Sequence, residues 1–252
     1  MHRVGLKTIK ALFVPFLVFL FLGTSFALTE KEIQKFQTLL MRKPVGERIA
    51  FWAEKFIGTP YDQDPLGEYV TRAAVVADER ADCMYLTFRV VELALGRSPE
   101  EAIQVALDKR FHTQGILKEG KVVNYEDRFE YGEDMIFSGK WGREITGDIG
   151  NTLRISGSRG KDFVDILSPD EIHRGLKKLK SGDIIFFIKK PVERKLGEMV
   201  GHIGILKVEK DQEAYLIHAS GTKEKGGSVK KVLLKRYISQ MPFIGVKITR
   251  IH

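Results

Sequence analysis

The chain has 252 residues, 43% of them hydrophobic, a formal net charge of +8 and a single cysteine. This supports a sizeable core in one domain, or in one domain with an extra lobe. A lone cysteine excludes an intrachain disulfide, and scattered Lys and Arg without a basic run interleaved with aromatics give no support for nucleic-acid binding.

Arg3, Lys7 and Lys10 precede an apolar run from Ala11 to Gly23, and Ser25-Phe26-Ala27 then reads as a small-x-small cleavage site. Together these predict a secretory signal peptide over 1–27, with export to the periplasm or the exterior after cleavage near Ala27. The run is shorter than the ~20 residues a spanning helix needs and contains Pro15. An uncleaved anchor is the alternative. No cysteine lies near the cleavage site, which excludes lipoprotein processing. Losing the three basic residues leaves +5, since no acidic residue precedes Glu30. That charge suits attraction to anionic polymers such as wall glycans, or to lipid head groups.

Thr29-Glu30-Lys31-Glu32 is a capping box, and Ile33, Phe36, Leu39 and Leu40 give a helical stripe. A second helix is expected from about Val45 to Ile57, broken at Gly58-Thr59-Pro60-Tyr61. Residues 62–79 read as a loop. From Cys83 a buried helix carries Leu86, Val90 and Ala94 at helical spacing, with Asp82 as N-cap and Gly96 past its end. Ser98-Pro99-Glu100-Glu101 opens another. Lys121–Tyr125 reads as a strand and Asp127–Ile136 as a helix. The glycines between Phe111 and Gly150 argue for long connections, which tend to be functional. Thr152–Ser156 and Asp162–Leu167 are possible strands, and Ser168-Pro169-Asp170-Glu171 caps a short helix to Leu179. Ile184–Ile188, apolar on both faces, reads as a central strand. Val200–Val208, Glu213–Ala219 and Ser228–Leu234 complete an antiparallel set. Helices first and strands last is the pattern of an α+β fold.

Cys83 falls in the first turn of its helix. Free amides and the positive end of the dipole favour a thiolate there. A small buried hydrophobe is the other reading of a free cysteine, but cysteines of exported proteins usually pair, and this one has no partner in its chain. Two late strands each carry a histidine, His202 and His218. Their separation is even, so the rings share a face, directly opposed, if the turn near Glu209–Gln212 holds an odd number of residues or a bulge corrects the register. A plain four-residue loop would put them on opposite faces. Cysteine attack on an acyl carbon needs a thiolate, a base that later protonates the leaving amine, and a polar group that orients the base. Cys83, His202 and His218 fit those roles in that order. The Cys83 amide and the Tyr61 hydroxyl could meet an oxyanion. The same three residues could ligate zinc, but no Cys-x-x-Cys or His-Glu-x-x-His supports a metal. Neither metal nor organic cofactor is expected. Asp82 reads as a helix cap rather than a catalytic acid.

Gly58-Thr59-Pro60-Tyr61, Asp82-Cys83, Ser181-Gly182-Asp183-Ile184, His202-Ile203-Gly204 and Leu216-Ile217-His218-Ala219-Ser220 together resemble the NlpC-type branch of papain-like cell-wall hydrolases. Within it they are most similar to the exported N-acetylmuramoyl-L-alanine amidase-like family. The resemblance implies one papain-like domain over 28–252, with a helix packed on an antiparallel sheet. It implies Cys83 as nucleophile, His202 as base, His218 as orienting residue, Tyr61 beside the nucleophile and peptidoglycan as substrate. The bond is the N-acetylmuramoyl-L-alanine amide, or a γ-D-glutamyl bond of the stem peptide. A non-catalytic wall-binding protein on the same fold is the reading from another class. Asn124, Tyr125 and Arg128 match an Asn-Tyr-x-x-Arg stretch assigned to the substrate groove. The chain departs from relatives at Met84 and Leu86, and again where Glu130, Gly132 and Met135 replace an aromatic-rich segment.

Overall fold

The computed structural model describes residues 28–62, 76, 78–222 and 225–252. The expected signal segment, and most of the loop expected over 62–79, lie outside the described residues. In chain order the elements are α1 (Glu30–Leu40), α2 (Val45–Lys55), α3 (Cys83–Leu95), α4 (Pro99–Lys109), β1 (Leu117–Lys118), β2 (Lys121–Val122), α5 (Gly132–Ser138), β3 (Arg143–Glu144), α6 (Thr146–Ile149), β4 (Leu153–Ser156), β5 (Phe163–Ile166), α7 (Pro169–Gly175), β6 (Ile184–Ile188), β7 (Val200–Val208), β8 (Ala214–Thr222), β9 (Gly226–Leu233), α8 (Leu234–Gln240) and β10 (Gly245–Arg250).

The arrangement is α+β. One antiparallel sheet runs β3-β10-β6-β7-β8-β9, and two small hairpins, β1-β2 and β4-β5, stand apart from it. Both faces of the large sheet are covered. Ile184, Phe186, Ile188, Ile203, Ile205 and Ile217 face the layer that contains α1–α4. Ile185, Phe187, Leu206, Leu216, Val246 and Ile248 face a second layer built around α6–α8. That double burial is why β6 is apolar at every position.

Local chemistry accounts for most helix boundaries. Thr29 closes its capping box with Glu32, Asp82 and Ser98 cap α3 and α4, and Ser168 caps α7. The region 111–150 differs from the sequence expectation. The strand read over Lys121–Tyr125 stops at Val122, because Asn124 turns the chain. Its Oδ1 accepts the Ile116 amide at 2.7 Å and its Nδ2 donates to the Gln114 carbonyl at 2.9 Å. The helix read over Asp127–Ile136 is instead a 3-10 turn at Tyr125–Asp127 followed by α5. α5 starts where Asp134 accepts the Glu130 and Tyr131 amides.

Two buried ion pairs fix α3. Arg110, the C-cap of α4, holds the Glu92 carboxylate with two bonds of 2.5 and 2.6 Å, and both side chains are fully buried. One turn earlier, Arg89 Nε bridges both oxygens of Asp78 at 2.9 and 3.0 Å, and the Tyr85 hydroxyl donates to the same carboxylate at 2.8 Å. Forked, charge-assisted bonds of this kind resist sliding and rotation of the helix. They set where its first residue, Cys83, stands.

Candidate active site

Cys83 is placed from both sides. Asp82 Oδ1 accepts the Tyr85 amide at 2.7 Å and starts the helix. Ala81, one residue earlier, donates its amide to the Pro60 carbonyl at 3.0 Å and accepts the Asp62 amide at 3.3 Å. The segment 58–61 is bonded in turn to the outer edge of β9. Gly58 donates to Val229, Val229 to Thr59 and Tyr61 to Gly227, each at 2.9 Å. This short strap carries Tyr61 to within the electrostatic reach of Cys83. Its ring lies against Gly221 at the end of β8, since a Cβ there would come 2.7 Å from two ring atoms.

The opening in the sheet lies between β7 and β8. Both strands are nine residues long, yet their ladder pairs only residues 205–208 with 214–217. Beyond Ile205 and Ile217 the strands part. In the alternation of this ladder the Ile203 amide points toward β8, and it pulls the Cys83 thiol's pKa down. The Cys83 and Met84 amides, at the start of α3, pull in the same direction. The thiol is therefore within the influence of the amide that follows His202.

His202 and His218 do share a face, because five residues, 209–213, separate β7 from β8. They are not directly opposed. The register carries His218 opposite Gly204, two residues along β7 from His202, and a Cβ on Gly204 would lie 3.3 Å from the His218 Cβ. The diagonal leaves room for the rings to meet nearly edge-on, with centroids 4.9 Å apart and planes at 83°. His202 Nε2 and His218 Nδ1 are 2.7 Å apart. This bond occupies Nε2 of His202 and leaves Nδ1 as its other ring nitrogen. For Nδ1 to accept a proton, Nε2 must carry the hydrogen and donate it to His218, which fixes the tautomers of both rings.

Three aromatic side chains enclose the imidazoles. Phe243 stacks on His202, with planes at 6° and centroids 6.5 Å apart. Phe187 lies 5.8 Å from it. Tyr237, on α8, packs edge-on against His218 at 5.0 Å and lies 6.3 Å from His202. Sequence reasoning missed Tyr237 and Phe243. The signal was present in Leu234, Tyr237, Ile238 and Met241, which recur at helical spacing directly after β9.

Electrostatics hold every site group neutral in the free protein. Cys83 keeps some surface open to solvent, but burial of its sulfur and the adjacent Asp82 charge push the thiol up to about 12, against the pull of the three amides. This reverses the low value that a helix start alone predicts. Burial lowers His202 to about 3, with the neighbouring His218 adding to the shift. Burial, then Lys230, lowers His218 to about 4. Burial and the Cys83 charge raise Tyr61 and Tyr237 to about 12. A thiolate facing an imidazolium would relieve both penalties at once, because each charge stabilises the other.

The histidine shifts have a consequence for stability. In the unfolded chain both rings protonate near an ordinary value of about 6.5. In the folded chain they stay neutral down to about 3 and 4. The unfolded state therefore binds more protons below about pH 6.5, and stability falls with pH there by about 1.4 kcal/mol per unit for each histidine. Urea unfolding at pH 7, 6 and 5 checks this: the midpoint should drop, and His218→Asn should flatten the slope. Equal slopes in the two proteins would contradict the assignment.

Asn124, Tyr125 and Arg128 lie on the loop after β2. Arg128 stacks over the Tyr125 ring at 4.1 Å and pairs with Glu130 at 3.2 Å, while Asn124 closes the β1–β2 hairpin. The Asn124 side chain bonds within its own loop, and the Arg128 backbone bridges to Phe111 just after α4.

No protein-family model matches this sequence, and no curated protein matches it. Solved structures do. An N-acetylmuramoyl-L-alanine amidase from Bacteroides uniformis superposes with a TM-score of 0.64 at 22% identity, over 82% of this chain and 98% of that one. A Legionella pneumophila protein of family DUF1460 superposes with a TM-score of 0.68 at 18% identity, over 87% of this chain and 93% of that one. The chain shares their fold. Both alignments take in nearly the whole of the neighbour's solved chain.

Proposed function

We propose that the chain is a cysteine amidohydrolase of the NlpC-type, papain-like class that acts on peptidoglycan and cleaves the amide between N-acetylmuramic acid and L-alanine. The observation that carries this reading is the seat of Cys83 at the start of α3, under the influence of the Ile203 amide that follows His202, whose imidazole is bonded to a second imidazole. The shared fold with a protein named for that activity supports the choice of bond.

In this mechanism His202 Nδ1 takes the Cys83 proton as the sulfur attacks the lactyl carbonyl. Amides at the start of α3, with the Tyr61 hydroxyl, stabilise the oxyanion. The proton passes to the L-alanine nitrogen, the C–N bond breaks, and the peptide leaves as an amine. A muramoyl thioester remains on Cys83. Water, deprotonated by His202, attacks it, releasing the lactyl carboxylate and restoring the thiol. His218 holds the tautomer throughout. Asn124, Tyr125 and Arg128 would contact the glycan or the stem along the same groove. Export through the 1–27 segment would bring the enzyme to its substrate.

Mass spectrometry of purified muropeptides after incubation with the protein tests this. The expected products are an intact stem peptide with a free alanine amine and a sugar with a free lactyl carboxyl, together heavier than the substrate by one water. Cleavage after D-glutamate would replace this reading with an endopeptidase. Muropeptides that come back unchanged would leave only a wall-binding protein.

A further inference from the structure

Glu133 is fully buried, in the first turn of α5. Its two oxygens are taken by backbone rather than by a cation. Oε1 accepts the Met199 amide at 2.8 Å and Oε2 accepts the Val200 amide at 3.1 Å. Arg194 feels the carboxylate's field, but its own bonds go to the Ser156, Gly157 and Lys189 carbonyls. Burying a carboxylate is expensive unless hydrogen bonds satisfy it, so this one is held for what it grips.

What it grips is the entry to β7. Met199 and Val200 precede a break in register. Ile188 pairs with Val200 and Phe187 with His202, which leaves Gly201 as a bulged residue. A bulge re-aims the side chain that follows it, and here that side chain is His202. Gly132, beside Glu133, completes the grip. A Cβ on it would lie 2.6 Å from Val200 Cγ1 and 3.1 Å from Ile203 Cδ1. Two consecutive residues of α5 thus fix the amides of 199 and 200 and the side chains of 200 and 203, on both sides of His202. Gly132 is also one of the positions at which the sequence departs from the aromatic-rich segment of the proteins it resembles.

We propose that the Gly132–Glu133 pair is a positioning device that sets the bulge at Gly201 and thereby aims His202 at Cys83. The inference rests on the proposed site. It makes Glu133 a positioning residue, acting through His202 without touching substrate. Misplacing a base by about an ångström is enough to lose much of its effect.

The test is the rate of Cys83 alkylation by iodoacetamide as a function of pH, which needs no wall substrate and reads the thiol's access to a base. In Glu133→Gln one oxygen is exchanged for a donor that faces an amide hydrogen. Alkylation at pH 7 should fall roughly tenfold or more, with the profile moving toward that of His202→Ala. Glu133→Asp, which keeps the charge but shortens the reach, should fall between. If Glu133→Gln fails to fold, as judged by circular dichroism, Gly132→Ala takes its place and should show the same shift. Should His202→Ala alter the profile while folded Glu133→Gln, or Gly132→Ala in its stead, matches wild type within twofold, this inference is overturned and the site stands. A profile unchanged even in His202→Ala removes the site reading and the inference with it, whatever the muropeptide assay shows.

Discussion

Cys83→Ala is expected to abolish muropeptide cleavage, by a factor on the order of 10⁴ or more, while the protein stays folded. Two features make the effect large. In the proposed mechanism the Cys83 sulfur is the attacking atom, and the chain has no second cysteine to substitute for it. Without the thiol the reaction would also lose the acyl-enzyme, which divides one difficult step into two easier ones. With the thiol gone, His202 and His218 are left as a hydrogen-bonded pair that generates no strong nucleophile. Stability should change little, because alanine fills most of the space and the α3 cap on Asp82 is untouched. Product release measured alongside thermal unfolding separates the two effects.

Glu92→Ala acts on the same helix through stability. The fully buried pair with Arg110 loses its carboxylate, and the guanidinium is left in the core against the Tyr85 and Phe88 rings. Removing one partner of such a pair typically destabilises by about 3–5 kcal/mol. At about 2–4 °C per kcal/mol for a chain of this size, the melting temperature should fall by roughly 10 °C. The double variant Glu92→Leu/Arg110→Met should recover much of the loss, since apolar residues of similar volume replace a buried pair at little or no net loss. A double variant no more stable than Glu92→Ala would show that the pair's shape, rather than its charge balance, supports α3. Activity lost in parallel with stability would fit a helix whose register places Cys83.

The parts of this molecule that were legible in the sequence are those fixed by local chemistry. Thr29, Asp82, Ser98 and Ser168 each cap the helix their spacing announces, and β7 runs over the expected residues. Ile184–Ile188 reads as central because both faces are apolar, and it is. What stayed hidden depends on residues far apart in the chain. β10 lies next to β6 in the sheet, yet its pattern is interrupted by Lys247. That lysine is buried because Glu144 and the Asp165 carbonyl come from distant segments to meet it. The bulge at Gly201, the parting of β7 from β8 and the reach of Tyr237 over His218 are all tertiary. The histidines were legible as a same-face pair only on condition of an odd turn. Their diagonal offset belongs to the register, which one-dimensional spacing does not specify.

The raised thiol is instructive for the same reason. Helix position argues for a low value, but burial and Asp82 outweigh the amides of α3 and Ile203. The place of Cys83 at a helix start is therefore not enough by itself to ionise it.

The most direct measurement is to quench the protein with acid shortly after mixing it with muropeptide and to weigh the peptide that contains Cys83. The mechanism predicts a transient adduct of the muramoyl acyl group on that peptide, released by hydroxylamine as a thioester should be and absent in Cys83→Ala. Product that accumulates while Cys83 stays unmodified, and forms equally fast in Cys83→Ala, would contradict it.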